Sequence, residues 1–403
     1  MKTKFWSAVV AAAVVTALAV TPARAAATLT EVTGFGSNPG ALKMYSYVPA
    51  GLPAGSPLVV ALHGCTQSAS DYYGHSGWPK YADLYRAALV FPEQTSSNNA
   101  LSCFNWFNAG DIARGGGEAL SIKQMVDYAV ANYGSDSHRV YVTGLSAGGA
   151  MTAVMLAAYP DVFAGGGVVA GLPYNCGTVC QYQAQSKTPA QWGDLVRAAD
   201  PGYSGPRPRV AIWYGTSDTT VVPANATELR DQWTNVLGVP QTPAGTDTLS
   251  GGTTRETYGG VVQLYRVQGI AHGTPVDPGG AENQCGTTGT YYLASICSSY
   301  YLAQFWGLTG STPPTTTPPT TTPPTSTPPT TTPTTAPTSA PPTAGPCFTA
   351  SNYAQTVAGR AHQSGGYTYA NGSNQAMGLW NVAVTHTLRR TGDNYYVLAD
   401  GQC

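Results

Sequence analysis

Gly144-Leu145-Ser146-Ala147-Gly148 joins two segments of opposite habit. Arg139-Val140-Tyr141-Val142-Thr143 before it reads as a buried strand, and Ala150 to Tyr159 after it reads as a helix stopped by Pro160. A serine pinned between small residues at such a junction is held on a sharp turn, its hydroxyl exposed to attack a carbonyl carbon. The pentapeptide alone is a weak signal. Strand, turn and helix in that order make Ser146 a candidate nucleophile.

Outward from the turn the same alternation repeats. Pro57 to Leu62 is a short continuous apolar strand that ends in His63-Gly64, and Ala87 to Pro92 reads as the next strand. Ala119 to Tyr133 carries a helical period, with Leu120, Ile122, Met125, Val126, Ala129 and Val130 largely on one side. Pro208 to Tyr214 and Val261 to Val267 supply two further strands. Apolar strands without alternation, separated by helices, predict an α/β fold with a mostly parallel central sheet covered on both faces.

Composition divides the 403 residues into four parts. Lys2 and Lys4, an apolar run from Ala8 to Val20 and the small residues Ala23-Arg24-Ala25-Ala26-Ala27 read as a secretory signal peptide over residues 1–27. The run is short for a membrane anchor. Residues 28–310 form the body. Residues 311–346 are almost wholly Pro and Thr, an extended spacer that buries no apolar surface. Residues 347–403 are a small module, too short to be expected to fold without a staple and bearing strand-like stretches at Tyr367 to Ala370 and Tyr395 to Leu398. The whole chain carries 19 Lys and Arg against 20 Asp and Glu, and losing the leader removes Lys2, Lys4 and Arg24. Such a surface has no basic field for nucleic acid. It suits a secreted, extracellular protein that meets a neutral substrate, with no membrane partner.

Eight cysteines in an exported chain favour disulfides. Proximity in sequence suggests Cys347–Cys403 closing the module, Cys176–Cys180 and Cys285–Cys297 as short local closures, and Cys65–Cys103 joining two loops. A metal at Cys176 and Cys180 is the rival reading, but no nearby histidine or second thiolate pair completes a ligand set.

An attacking serine needs a base, and the base needs an orienting acid. In α/β-hydrolases these follow the nucleophile as acid, then histidine. His272 is the one histidine of the body downstream of Ser146. His63, His75 and His138 all precede it. Asp218, just past the Ile212-Trp213-Tyr214 strand, is the best-placed acid; Asp231 on a polar helix and Asp247 in a Gly/Thr loop are the alternatives. Backbone N–H groups of Ala147 and of Cys65, in the His63-Gly64-Cys65 loop, would stabilise the oxyanion. His63 itself is expected to buttress that turn. Acyl transfer of this kind requires no cofactor and no metal.

His63-Gly-Cys-Thr-Gln67, Gly144-Leu-Ser-Ala-Gly148, Asp218 and Ala271-His-Gly-Thr-Pro-Val276 together resemble extracellular short-chain-length polyhydroxyalkanoate depolymerases, which are related to feruloyl and acetylxylan esterases. Cys103-Phe-Asn-Trp-Phe107 and the stretch from Cys285 to Trp306 match the same catalytic domain, and an oxyanion loop ahead of the nucleophile is the type 1 order. Ala271 departs from the glycine found there in many members. Gly359-Arg-Ala-His362, Met377-Gly-Leu-Trp380 and Tyr395-Tyr396 resemble the substrate-binding domain of these enzymes. The resemblance implies a serine esterase of the α/β-hydrolase fold that cleaves poly(3-hydroxybutyrate), with feruloylated or acetylated plant polysaccharide as the alternative substrate and a monomer as the expected state. Trp106 and Phe107 would line the substrate groove. Trp380, Tyr367, Tyr369, Tyr395 and Tyr396 could lie on the insoluble polyester, with His362 and Arg360 as hydrogen-bond donors to ester carbonyls.

Overall fold

Every residue of Ser56–Leu62 is buried, because this strand lies near the centre of a ten-stranded sheet. The computed structural model describes residues 27–309 and 346–400, except 365–366, 374, 381–383 and 393–394. The expected leader before Ala27, the spacer before Pro346 and Cys403 therefore lie outside the described residues. The chain divides into two units, and each is described by itself.

The sheet of the first unit contains β1 (Thr30–Val32), β2 (Lys43–Tyr47), β3 (Ser56–Leu62), β4 (Ala88–Glu93) and β5 (Ser135–Leu145). It continues with β6 (Gly165–Val169), β7 (Arg209–Gly215), β8 (Gly245–Leu249), β9 (Thr253–Tyr258) and β10 (Val262–Val267). Their spatial order is β1-β2-β4-β3-β5-β6-β7-β10-β9-β8. The six strands from β4 to β10 in that order run parallel, and antiparallel strands close both edges. This is an α/β-hydrolase core. Parallel strands bring all their carboxyl ends to one edge, so the loops after β3, β4, β5, β6, β7 and β10 gather there.

Side chains alternate across the sheet, which explains why the strands read as unbroken apolar runs. Leu58, Val60 and Leu62 face one core with Ile122, Met125 and Val126 of the Gly117–Tyr133 helix and Met151 and Val154 of the Ala147–Ala158 helix. Val59 and Ala61 face the other core, with Tyr72, Trp78, Tyr81 and Trp306. Each fully buried Val, Leu, Ile or Met among them contributes about 1.5–3 kcal/mol of transfer free energy. His138, expected in a turn, lies within β5, and Asp247, expected in a loop, lies on the edge strand β8. Among the described residues no helix is long and apolar enough to cross a membrane.

The second unit is β-rich. Cys347–Ser351, Thr385–Gly392 and Tyr395–Leu398 form one antiparallel sheet, and Ala361–Ser364, Tyr367–Ala370 and Ala376–Leu379 form another. Its apolar core is small: Ala361, Ala370, Met377 and Leu388. Buried amides supplement it. Asn352 Nδ2 donates to Met377 O at 2.7 Å, and Gln355 Nε2 donates to Phe348 O and His386 O at 2.7 and 2.9 Å.

The Ala147–Ala158 helix packs onto the sheet without side chains in the way. A Cβ on Gly148 would run into the carbonyl groups of Leu62 and His63. Gly148→Val should therefore lower unfolding stability by about 3 kcal/mol or more. Gly74→Ala, on a helix with nothing near the added carbon, should leave it equal or up to about 1 kcal/mol higher. Urea midpoints of the two variants check the contrast.

Candidate active site

Ser146 follows β5 with φ +57° and ψ −118°, a left-handed backbone that a non-glycine residue adopts only when its surroundings enforce it. Two bonds enforce it here. Ser146 N–H donates to Val169 O at 2.9 Å, and Ser146 O accepts from Ala150 N–H at 2.8 Å as the helix begins. The half-buried serine faces the β3 loop: a carbon added to Gly64 would stand 3.4 Å from Ser146 Cβ.

The acid and the histidine meet across neighbouring carboxyl-edge loops. Asp218 follows β7 and His272 follows β10, and these two strands are paired. Gly215 lets the loops close, since a Cβ there would strike Ile270 O and Ala271 O. His272 Nδ1 lies 2.7 Å from Asp218 Oδ2. Asp218 Oδ1 accepts from Thr220 N–H and Val221 N–H, each at 2.9 Å. A carboxylate so placed only accepts, so Nδ1 carries the hydrogen and Nε2 remains to take one. Both residues are buried. The other acids are engaged elsewhere: Asp231 pairs with Arg230, and Asp247 pairs with Arg255.

The β3 loop is held by a buried polar network. Gln94 N–H donates to His63 Nε2 at 3.0 Å, so the ring hydrogen is on Nδ1, which donates to Gly64 O at 2.7 Å. Gly64 O and Cys65 N–H belong to one peptide plane. Fixing the carbonyl therefore aims the Cys65 N–H. Burial pushes His63 down to about 4, which keeps the ring neutral. Among the described residues neither Cys65 N–H nor Ala147 N–H donates to a protein acceptor. The loop's far side is tied by the Cys65–Cys103 disulfide and by Thr66 N–H donating to Leu101 O at 2.6 Å. Cys176–Cys180 and Cys285–Cys297 are also disulfides, so the first of these pairs is not a metal site.

Beneath both ties lies Glu118, fully buried in the first turn of its helix. It accepts from Gln94 Nε2 and, at 2.8 and 2.7 Å, from the N–H and Nδ2 of Asn105. One carboxyl group thus braces the residue that holds His63 and the strip that carries Cys103. Nothing in the local sequence marks it, because its partners Gln94 and Asn105 lie well upstream, outside its helix.

The expected binding residues are differently placed. Trp106 is 7% exposed and belongs to the core, while Phe107 beside it is 46% exposed. A cavity of ≈ 240 Å³ lies between Thr66-Gln67 and Tyr291-Tyr292, with Asp71 and His75 in its wall. The Tyr291 ring stands 6.3 Å from that of His272. In the second unit Arg360 is turned inward, donating to Gln355 Oε1 at 2.6 Å and covering the Phe348 ring. His362 is exposed and stacks on Tyr369, with Nδ1 2.8 Å from Asn371 Oδ1. Half-buried Trp380 packs on exposed Tyr353, a partner the sequence did not suggest. Tyr395 is exposed and Tyr396 half-buried; the Tyr367 side chain and Cys403 lie outside what is described.

An imidazole with Nε2 open for a hydroxyl proton, on a loop of the same sheet edge as the serine turn, is the equipment of a serine-type carboxylic-ester hydrolase. The comparisons with known proteins agree. A model of the family "Esterase PHB depolymerase" matches residues 42–258, and the chain belongs to that family. It is 53% identical over 294 residues to poly(3-hydroxyalkanoate) depolymerase C of Paucimonas lemoignei, covering 70% of each chain. It is 38% identical over 271 residues to feruloyl esterase B of Talaromyces funiculosus, covering 64% of this chain and 76% of that one. The solved acetyl xylan esterase from Aspergillus awamori superposes with a TM-score of 0.61 at 29% identity, covering 70% of this chain and 99% of the other.

Burial pushes the Glu118 carboxyl up to about 8 from an ordinary 4.5, outweighing the donors around it. The folded protein therefore holds a proton that the unfolded chain releases near 4.5. This stabilisation is complete below that pH and is lost as pH rises through 8. In Glu118→Gln the titration is absent, so the parent's urea midpoint should fall between about pH 5 and about pH 9 by more than the variant's.

Proposed function

We propose that this chain is exported and hydrolyses the ester bonds of poly(3-hydroxybutyrate)-type polyesters through an acyl-enzyme. The margin of identity to the depolymerase over the feruloyl esterase carries the reading. Ser146 Oγ attacks the ester carbonyl while His272 Nε2 takes its proton, and Asp218 holds the imidazole in the required tautomer and stabilises its charge. Cys65 N–H and Ala147 N–H receive the oxyanion. His272 then protonates the departing alkoxide, and water attacks the acyl-serine by the same steps in reverse order of roles.

On this reading residues 1–27 are a leader, 28–310 the catalytic domain, 311–346 a spacer and 347–403 a substrate-binding domain closed by Cys347–Cys403. The protein acts as an extracellular monomer. Phe107 and the cavity beside His272 receive the polymer segment, and Trp380 with His362 contacts the solid. Esters of plant polysaccharides are the second reading, favoured by the likeness to the acetyl xylan esterase structure.

Incubation of the mature protein with poly(3-hydroxybutyrate) film, methyl ferulate and acetylated xylan separates the two. Release of hydroxybutyrate oligomers is expected from film. Robust ferulate or acetate release with an untouched film would reject the polyester reading. Ser146→Ala should lower turnover by roughly 10,000-fold and Asp218→Asn by roughly 1,000- to 10,000-fold, with the fold retained by circular dichroism. Deleting residues 311–403 should spare hydrolysis of a dissolved ester and impair binding to film.

A further inference from the structure

The exposed apolar side chains of the first unit are not scattered. Among its described residues the large exposed ones are Leu84, Leu101, Phe107, Val179 and Tyr182. Leu84 lies on the Trp78–Tyr85 helix. The other four lie on just two loops, those after β4 and β6, at the sheet edge that carries Ser146, Asp218 and His272. In the strand order β4-β3-β5-β6-β7, these two loops fall on opposite sides of β5 and its serine.

Each loop is fixed to a segment bearing a candidate catalytic group. Leu101 O accepts from Thr66 N–H, next to Cys65, and the Cys65–Cys103 disulfide closes the same strip. Phe107 stands edge-on to buried Trp106, ring centroids 5.5 Å apart. On the other side Tyr182 N–H donates to Val179 O, Val222 N–H donates to Gln181 O, and Gln181 Nε2 donates to Thr220 O. Thr220 also donates its own N–H to Asp218. Asn225 Nδ2 holds Cys180 O at 2.7 Å. The apolar groups are thus presented on tethered loops, so docking them costs little further ordering.

The same edge is nearly free of charge. Residues 63–70, 94–110, 170–186 and 268–276 contain no Asp, Glu, Lys or Arg, and 216–223 contains only the buried Asp218. Charge returns at Asp71, Asp111, Lys187 and Asp277. A charged partner would find no complement on these loops. A small dissolved ester needs only the cleft and has no use for apolar groups on both flanks.

We propose that Leu101 and Phe107 on one flank of Ser146, and Val179 and Tyr182 on the other, form a rim by which the catalytic unit itself seats on an uncharged polyester surface. The inference rests on the polyester reading and adds a second contact beside the terminal module. Leu101 and Val179 are branched aliphatic groups suited to the methyl-bearing face of such a polymer. They offer no hydrogen bond to a hydroxylated sugar surface. Seating both flanks would deliver a surface chain segment over the serine, whereas the terminal module, joined by a spacer, holds the enzyme near the solid.

The test uses the full-length secreted chain carrying Leu101→Ser, Val179→Ser and Tyr182→Ser together, with Leu101→Met, Val179→Ile and Tyr182→Phe as the apolar counterpart. Film hydrolysis per adsorbed molecule is divided by the rate on dissolved p-nitrophenyl butyrate, and adsorbed enzyme is measured by depletion. The serine variant should lose about tenfold in this ratio, the scale of a few surface apolar contacts, while the apolar counterpart keeps it. A ratio unchanged in the serine variant, or both rates falling together, overturns the rim. So does a loss on acetylated xylan with film hydrolysis unaffected. A parent enzyme that leaves the film intact overturns the polyester reading, and the rim with it; an active parent with an unchanged variant overturns the rim alone.

Discussion

The strained backbone at Ser146 is the constraint on which the rest of the site depends. A left-handed φ on a side-chain-bearing residue costs on the order of 1–3 kcal/mol and persists only when the fold over-determines it. Here the Val169 carbonyl draws in the serine N–H from one side while the helix's first turn captures its carbonyl from the other. Both anchors exist only because β6 lies beside β5 and because Gly148 allows the helix to rest on the β3 carbonyls. The turn sets the hydroxyl above the sheet edge. That edge is where a parallel sheet brings its loops together, so Asp218, His272 and the β3 loop arrive beside it by topology rather than by closeness in sequence.

Polar burial does the work that loops cannot do alone. The β3 loop is held through His63, whose tautomer is dictated by the Gln94 N–H, and through the strip carrying Cys103. Both lead back to Glu118. A carboxyl group this deeply buried is costly unless every oxygen is satisfied. Its two oxygens receive Gln94 and Asn105, and in return the loop is fixed before substrate arrives. The Asp218 carboxylate is arranged in the same manner, with one oxygen taken by two backbone N–H groups and the other by His272.

Much of the core could be read from residue order. The strands at Pro57, Ala87, Val140, Pro208 and Val261 and the helix after Gly117 all appear close to their expected bounds, because a strand buried on both faces leaves an unmistakable apolar run. Residue order says less where neighbours in space, not in sequence, decide. Trp106 and Phe107 are adjacent aromatics, yet one fills the core and the other faces solvent. Arg360, expected at the ligand, also donates to Gln355 and covers Phe348, since a unit with so few buried apolar groups uses amides and a guanidinium to complete its packing. Asp247 looked like loop and is edge strand, its Gly/Thr surroundings concealing an exposed pairing with β9.

The sequence by itself determined the α/β core and the strand–turn–helix around Ser146, because these depend on local periodicity and on residue types with narrow conformational ranges. Tertiary structure decided which acid reaches the histidine, which nitrogen of His63 carries its hydrogen, and that Glu118 underlies the loop after β3. It also decided that four exposed apolar side chains stand on loops to either side of β5. Each of these is a distance between segments far apart in the chain, fixed only when the parallel sheet brings its carboxyl ends together at one edge.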